Sequence, residues 1–220
     1  MAVKNKEKGA ETRAAGNGRA ALRKAETRAR IKVAARAVFA EKGYEKANVS
    51  DIVRAIGMAQ GTFYYHFQDK KSILMEMLNE YFDQFRAVMS DWMQSEDAAP
   101  DVTYIFARRV ALLLYENKDL THIIMQEAHN ADEEVRRLIH GFNRFFYEQV
   151  RSGLDLGVAL GLVRPMDTRL AAVALVGMIR EVVADRTRSG ESVDIEHLIR
   201  ELAELQNHGI RLRPGAGNNF

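Results

Sequence analysis

The chain has 220 residues, 47% hydrophobic and 28% charged, the composition of a folded globular protein rather than a disordered one. It contains no cysteine, so disulfide scaffolds, thiolate zinc sites and cysteine nucleophiles are excluded. The formal net charge of +2 hides an asymmetry: residues 1–71 carry 16 basic and 7 acidic side chains (+9), and residues 72–220 carry 16 and 23 (−7). The basic end should attract a polyanion, the bland alternative being a solubilising tail. The longest apolar run is the ten residues Leu170–Ile179, closed by Arg169 and Arg180. A membrane span needs ~20. The polar N-terminus has no apolar stretch of the signal-peptide kind. A soluble, cytoplasmic protein is therefore the expectation.

Residues 1–22, rich in Ala, Gly, Lys, Arg and Asn, read as a disordered basic tail. Everything after them reads as helix, with no sustained period-2 alternation and hence no sheet. The first helix is expected over about 24–42, with Ile31, Ala35, Val38 and Phe39 on one face and Gly43 as its stop. A second follows over 49–55 behind Asn48, a good N-cap residue, and a third over 59–66. The fourth starts near Lys70 and carries Ile73, Leu74, Met77, Leu78, Tyr81, Phe82, Phe85 and Met89. Further helices are expected over 101–116, 119–129, 132–160, 167–187 and 194–208, with prolines at 100, 165 and 214 marking breaks between them.

The segment 49–66 is the most informative. Gly57 sits between two short helices, where a tight turn demands positive φ. Ile52, Ile56, Phe63 and Phe67 are placed to pack against the apolar face of the first helix. Three helices with a tight turn between the last two form a helix-turn-helix layout. Its final helix, ~12 Å long, suits the ~12 Å major groove of DNA. Phe39-Ala40-Glu41-Lys42-Gly43-Tyr44, Asn48-Val49-Ser50-Asp51-Ile52, Gly57-Met58-Ala59-Gln60-Gly61-Thr62-Phe63-Tyr64-Tyr65-His66-Phe67 and Lys70 together resemble the TetR family of transcriptional regulators. The match covers about residues 28–75; beyond it only helix number and length agree.

The resemblance implies that Tyr64, His66 and Lys70 contact phosphate, which a phenol, an imidazole N–H and an ammonium can all do. Asn48 stands where the family usually has threonine and should cap the second helix beside the DNA backbone. Gln60, Thr62 and Tyr65 occupy the variable outward positions of the third helix and are the candidate base readers. Arg28, with Arg23, Lys24 and Arg30, is expected to follow the backbone or enter the minor groove. One departure is Ala59, where the family commonly has serine: alanine cannot cap.

The remainder is expected to form a larger helical domain. Phe82, Phe85, Met89, Tyr104, Met125, Phe142, Phe145 and Phe146 are candidates either for ordinary core or for the inducer pocket that the resemblance implies. Arg108 and Arg109 interrupt an apolar stretch. One should reach solvent, and the other can bind a ligand carboxylate or pair with an acid. The spacing of His122, Glu127, His129 and His140 does not suit a compact metal site, and no catalytic constellation or cofactor motif is present. Gly153, Gly157 and Gly161 recur every four residues on a helix and fit close packing. The apolar run and the stripe of the last helix nominate Leu175, Met178, Ile179, Leu198, Leu202 and Leu205 as a two-fold four-helix interface, unless both helices pack internally.

The expected fold class is thus all-α. Residues 1–22 are a tail, 23–69 a helix-turn-helix DNA-binding domain, 70–210 a helical ligand-binding and dimerisation domain, and 211–220 a flexible tail. The expected function is that of a cytoplasmic homodimeric repressor, released from a palindromic double-stranded operator by a small hydrophobic or amphipathic ligand. It is not an enzyme on this reading and has no cofactor. The competing reading is a constitutive DNA-binding or nucleoid-associated protein without an inducer.

Overall fold

The structure, a computed structural model, describes the backbone of residues 2–94, 100–130, 132–161, 163–189 and 194–208. Side chains are described within residues 18–92, 105, 107–124, 132–161, 163–186 and 194–205. Among the described residues there are nine helices and no strand: α1 (Ala2–Lys42), α2 (Val49–Ala55), α3 (Gln60–His66), α4 (Lys70–Gln94), α5 (Pro100–Glu116), α6 (Lys118–Asn130), α7 (Glu133–Ala159), α8 (Thr168–Ser189) and α9 (Ile195–His208). The all-α expectation holds, and α2 to α9 begin and end within about two residues of the expected bounds. The exception is α1, which starts at Ala2 instead of near residue 24. Residues 2–23 are rich in Ala, Lys and Arg, strong helix formers, and contain no proline, so the helix runs on through Gly9, Gly16 and Gly18, which weaken it without breaking it. The side chains of residues 1–17 and all of residues 209–220, including the tail expected over 211–220, lie outside the described residues.

The chain divides into two compact units, Met1–Met77 and Leu78–Phe220. The division falls inside α4, a few residues beyond the expected boundary at 69/70. The first turns of α4 belong to the first unit, where Ile73, Leu74 and Met77 are buried.

In the first unit, α1 buries Ile31, Ala34, Ala35, Val38 and Phe39 along one face. It stops where Gly43 N–H returns to the Phe39 carbonyl at 3.0 Å. Tyr44 then packs edge-on to Phe39, ring centroids 5.2 Å apart. Helix α2 opens on a reciprocal cap: Asp51 N–H donates to Asn48 Oδ1 at 3.0 Å and Asn48 N–H to Asp51 Oδ2 at 3.2 Å. The α2–α3 turn is closed by Met58 N–H on the Val53 carbonyl, with Gly57 at φ +62°, a conformation costly for any residue with a Cβ. Ile52, Phe63 and Phe67 fill the centre as expected, whereas Ile56 is only half-buried.

In the second unit, α7 packs on α6 and α8, and α5 on α8 and α9. Asp132, Asp167 and Asp194 accept from the first-turn N–H groups of α7, α8 and α9. The buried hydroxyl of Tyr81 donates to Thr121 Oγ1 at 2.7 Å, which donates on to the Leu114 carbonyl at 3.2 Å, so neither buried hydroxyl lacks a partner.

Candidate functional site

The first unit presents α3 on a basic surface. Phe63 and Phe67 point into the core, which turns Gln60, Gly61, Tyr64 and Tyr65 outward, one turn apart in pairs. Tyr64 is 52% and Tyr65 71% exposed, high values for aromatic side chains beside a packed core. Lys24 of α1 stands over the Tyr65 ring at 5.2 Å. Thr62 and His66 lie half-buried on the flank of this face. The Nδ1 of His66 is buried without a hydrogen-bond partner. Burial, then the charges of Lys24 and Arg28, hold its imidazole below the usual histidine value. Ala59 caps α3 with no side-chain bond, as alanine must. Asn48 makes the cap expected of it.

Two of the residues nominated for phosphate or backbone contact are engaged elsewhere. Lys70 Nζ donates to the carbonyls of Tyr44, Glu45 and Ala47 at 2.8, 2.9 and 3.1 Å and stands over the Tyr44 ring. All three N–H donors of the ammonium are therefore used in closing the α1–α2 turn. Arg28 pairs with Glu76 of α4 and donates to the His66 carbonyl, its guanidinium lying 4.0 Å from the centre of the Phe67 ring. Sequence reasoning missed Glu76, because nothing in a helical period distinguishes one acid on α4 from its neighbours.

The second unit holds an aromatic cluster. Phe82 and Phe85 of α4 meet Phe142 and Phe146 of α7. Phe82 and Phe142 stack face to face with centroids 3.9 Å apart, while Phe85 packs edge-on to Phe142 and Phe146. Met89 is buried further along α4. Four of the residues nominated for a pocket thus meet in one cluster, and a fifth, Met89, is buried on the same helix. Phe145 is 37% exposed and stands outside the cluster. The side chains of Tyr104 and Met125 lie outside the described residues. Arg108 pairs with Glu196 of α9, and Arg109 with Asp91 of α4 at 3.1 Å, both at the surface. Each guanidinium has a carboxylate from the chain itself, as the acid-pairing alternative expects.

The nominated dimer residues divide similarly. Ile179, Leu198 and Leu202 are buried within the unit, because α9 packs on α5 and α8 lies against α5 and α7. Leu175 and Met178 are half-buried, and only Leu205 is exposed. The exposed large apolar residues of the last three helices are instead Phe145, Leu156, Leu170, Val173 and Leu205, with Leu160 as the C-cap of α7. Of the recurring glycines, Gly153 and Gly157 serve close packing: a Cβ on Gly153 would come 2.2 Å from the Trp92 ring, and one on Gly157 2.7 Å from Val163. Gly161 has a different role, ending α7 at φ +71°.

Comparison with known proteins covers both units. Residues 31–77 match the family described as bacterial regulatory proteins, tetR family, and residues 104–184 match the tetracyclin repressor-like C-terminal domain. A fatty acid metabolism regulator protein of Bacillus subtilis is 27% identical over 174 residues, 79% of this chain and 90% of that protein. The crystal structure of the regulator FadR from B. subtilis in complex with stearoyl-CoA superposes with a TM-score of 0.70 at 27% identity, over 83% of this chain and 98% of that one. The fatty acid degradation regulator FadR from Bacillus halodurans gives 0.71 at 26% identity, over 84% and 97%. With the helix-turn-helix and the helical unit each matching the corresponding part of one family, the chain belongs to the TetR family of transcriptional regulators.

Proposed function

We propose that the protein is a dimeric repressor that binds a palindromic operator through α3 and releases it when a long-chain fatty acyl-CoA binds the helical unit. The observation that carries this reading is the likeness over both units to regulators of fatty acid metabolism, one of them solved with stearoyl-CoA. The exposed face of Gln60, Tyr64 and Tyr65 supplies what the reading helix needs. An amide can pair with adenine, and phenols can reach phosphate or a thymine methyl. Thr62, His66 and the Asn48 cap flank that face.

The acyl chain is apolar, and the Phe82/Phe85/Phe142/Phe146 cluster with Met89 is the apolar interior that suits it. Entry there parts rings contributed by α4 and α7. Helix α4 is the one that begins at Lys70 in the reading unit, so a ligand that favours a shifted α4 favours the state that binds DNA less well. A ligand changes DNA affinity only by as much as it prefers one state. We place the second copy on α7 and α8, where Leu156, Leu170 and Val173 are exposed, and not on the α8–α9 stripe. A regulator of this kind acts in the cytoplasm and carries out no catalysis of its own.

The test is a titration of stearoyl-CoA, with stearate and free coenzyme A as controls, into the full-length protein bound to its selected operator at fixed salt. The expected result is a loss of operator affinity of ~10-fold or more, within the usual range for coupled sites, with the dimer intact. Undiminished operator binding across acyl-CoA chain lengths would favour the constitutive DNA-binding protein.

A further inference from the structure

Glu76 lies in the second turn of α4, one residue before the end of the first unit. Its Oε1 accepts from Arg28 Nε at 3.0 Å and its Oε2 from Arg28 Nη2, a two-pronged pair across 48 residues of sequence. Lys32, one turn further along α1, approaches the same carboxylate at 3.3 Å. These cations hold the Glu76 carboxyl below the usual range, the Arg28 hydrogen bond being the largest cause. The third arm of the guanidinium, Nη1, donates to the carbonyl of His66, the last residue of α3. The guanidinium plane covers the Phe67 ring directly after it. One side chain therefore joins the end of the reading helix to a carboxylate on α4.

We propose that Glu76 determines DNA specificity without touching DNA: through Arg28 it fixes the end of α3, and it keeps the charges of Arg28 and Lys32 from serving as indiscriminate phosphate contacts. The geometry gives both halves of this. A guanidinium bonded to a carboxylate on one edge and a carbonyl on the other, and stacked on a ring, has a single position. It passes that position on to the backbone of α3. Two uncompensated cations in the reading unit, Arg28 at the end of α3 and Lys32 beside Glu76, would by themselves strengthen binding to any sequence, since phosphate attraction is sequence-blind. An anion between them lowers that background. Arg28 is then a positioning residue, which replaces the backbone-contact role that its sequence position suggested.

The inference rests on α3 being the reading helix, and the test separates the two. The full-length Glu76→Gln variant keeps the side-chain shape and removes the charge. Affinities for the selected operator and for random duplex of the same length are measured over a range of salt concentrations, with a melting curve as the folding control. Affinity for random DNA should rise, and the slope of log affinity against log salt should steepen by about 1. The operator-to-random ratio should fall by about 10-fold, comparable to one mismatched base pair. Arg28→Lys keeps the charge but cannot make the two-pronged pair and the carbonyl bond together. It should lower the same ratio with the slope unchanged, so the proposal stays testable if Glu76→Gln fails to fold. An unchanged ratio in the folded variants would overturn it. So would an equal loss on both DNAs with a slope shallower by about 1 for Arg28→Gln, which removes the charge and would mark Arg28 as a phosphate contact. If the wild-type protein shows no preference for any sequence, it is the α3 reading that fails.

Discussion

The ammonium of Lys70 donates to three main-chain carbonyls at the turn between α1 and α2. Lys70→Met should therefore lower the stability of the reading unit by about 2–3 kcal/mol, the scale of hydrogen bonds to a charged group. The salt slope of DNA binding should stay as it is. Melting curves and binding isotherms on the same variant decide the matter. A slope shallower by about 1 with unchanged melting would return Lys70 to phosphate. His66 makes the opposite kind of prediction. Burial, Lys24 and Arg28 disfavour its charged form in the free protein. The stability it contributes is complete above the unfolded value of about 6.5 and is lost as pH falls through the lower folded value. A phosphate beside the ring favours the imidazolium, so operator binding should take up a proton and tighten as pH falls towards the lowered value of the free protein. His66→Gln should abolish that gain; identical pH profiles for the two proteins would remove His66 from the DNA contacts. At this scale the sequence was a good guide to local chemistry. The Asn48 cap and the missing cap at Ala59 depend on neighbours three residues away. The intrachain partners of Arg28 and Lys70 were not legible, because they lie 23 to 48 residues distant or are carbonyls that carry no side-chain signature.

Helix α4 meets α7 through rings and through one glycine. The ring of Trp92, the only tryptophan in the chain, lies where a Cβ on Gly153 would have to be. Gly153→Ala should displace it, destabilise the second unit by about 1–3 kcal/mol as overpacking does, and shift the tryptophan emission. An alanine variant with wild-type emission and melting would mean that the contact is loose. Since Trp92 belongs to the helix proposed to respond to ligand, its emission should also report acyl-CoA binding in the wild-type protein. Helix order and bounds were legible because α2 to α9 each carry a stop, a cap or an apolar period of their own. The start of α1 was not. Its alanines and charges favour helix while giving it nothing to bury, so composition alone points to disorder.

For the whole molecule, pairing of two copies decides whether two α3 helices can read successive major grooves, ~34–36 Å apart. An apolar helix face such as the α8–α9 stripe signals burial without naming its partner. Ile179, Leu198 and Leu202 find theirs inside the unit. Leu170, 67% exposed at the start of α8, does not. Leu170→Arg should leave the fold intact, shift the protein towards monomer in sedimentation, and weaken operator binding. A stable dimer with unaltered operator affinity would place the interface elsewhere.

The most direct measurement on the central claim, that α3 reads DNA in a symmetric pair, is selection from random duplex DNA by the full-length protein at near-physiological salt. An enriched palindromic site is expected, and Gln60→Ala should relax preference at one position in each half by about 1–3 kcal/mol. Salt-sensitive binding with no enriched sequence would contradict the claim and leave the basic end of the chain as a non-specific holder of DNA.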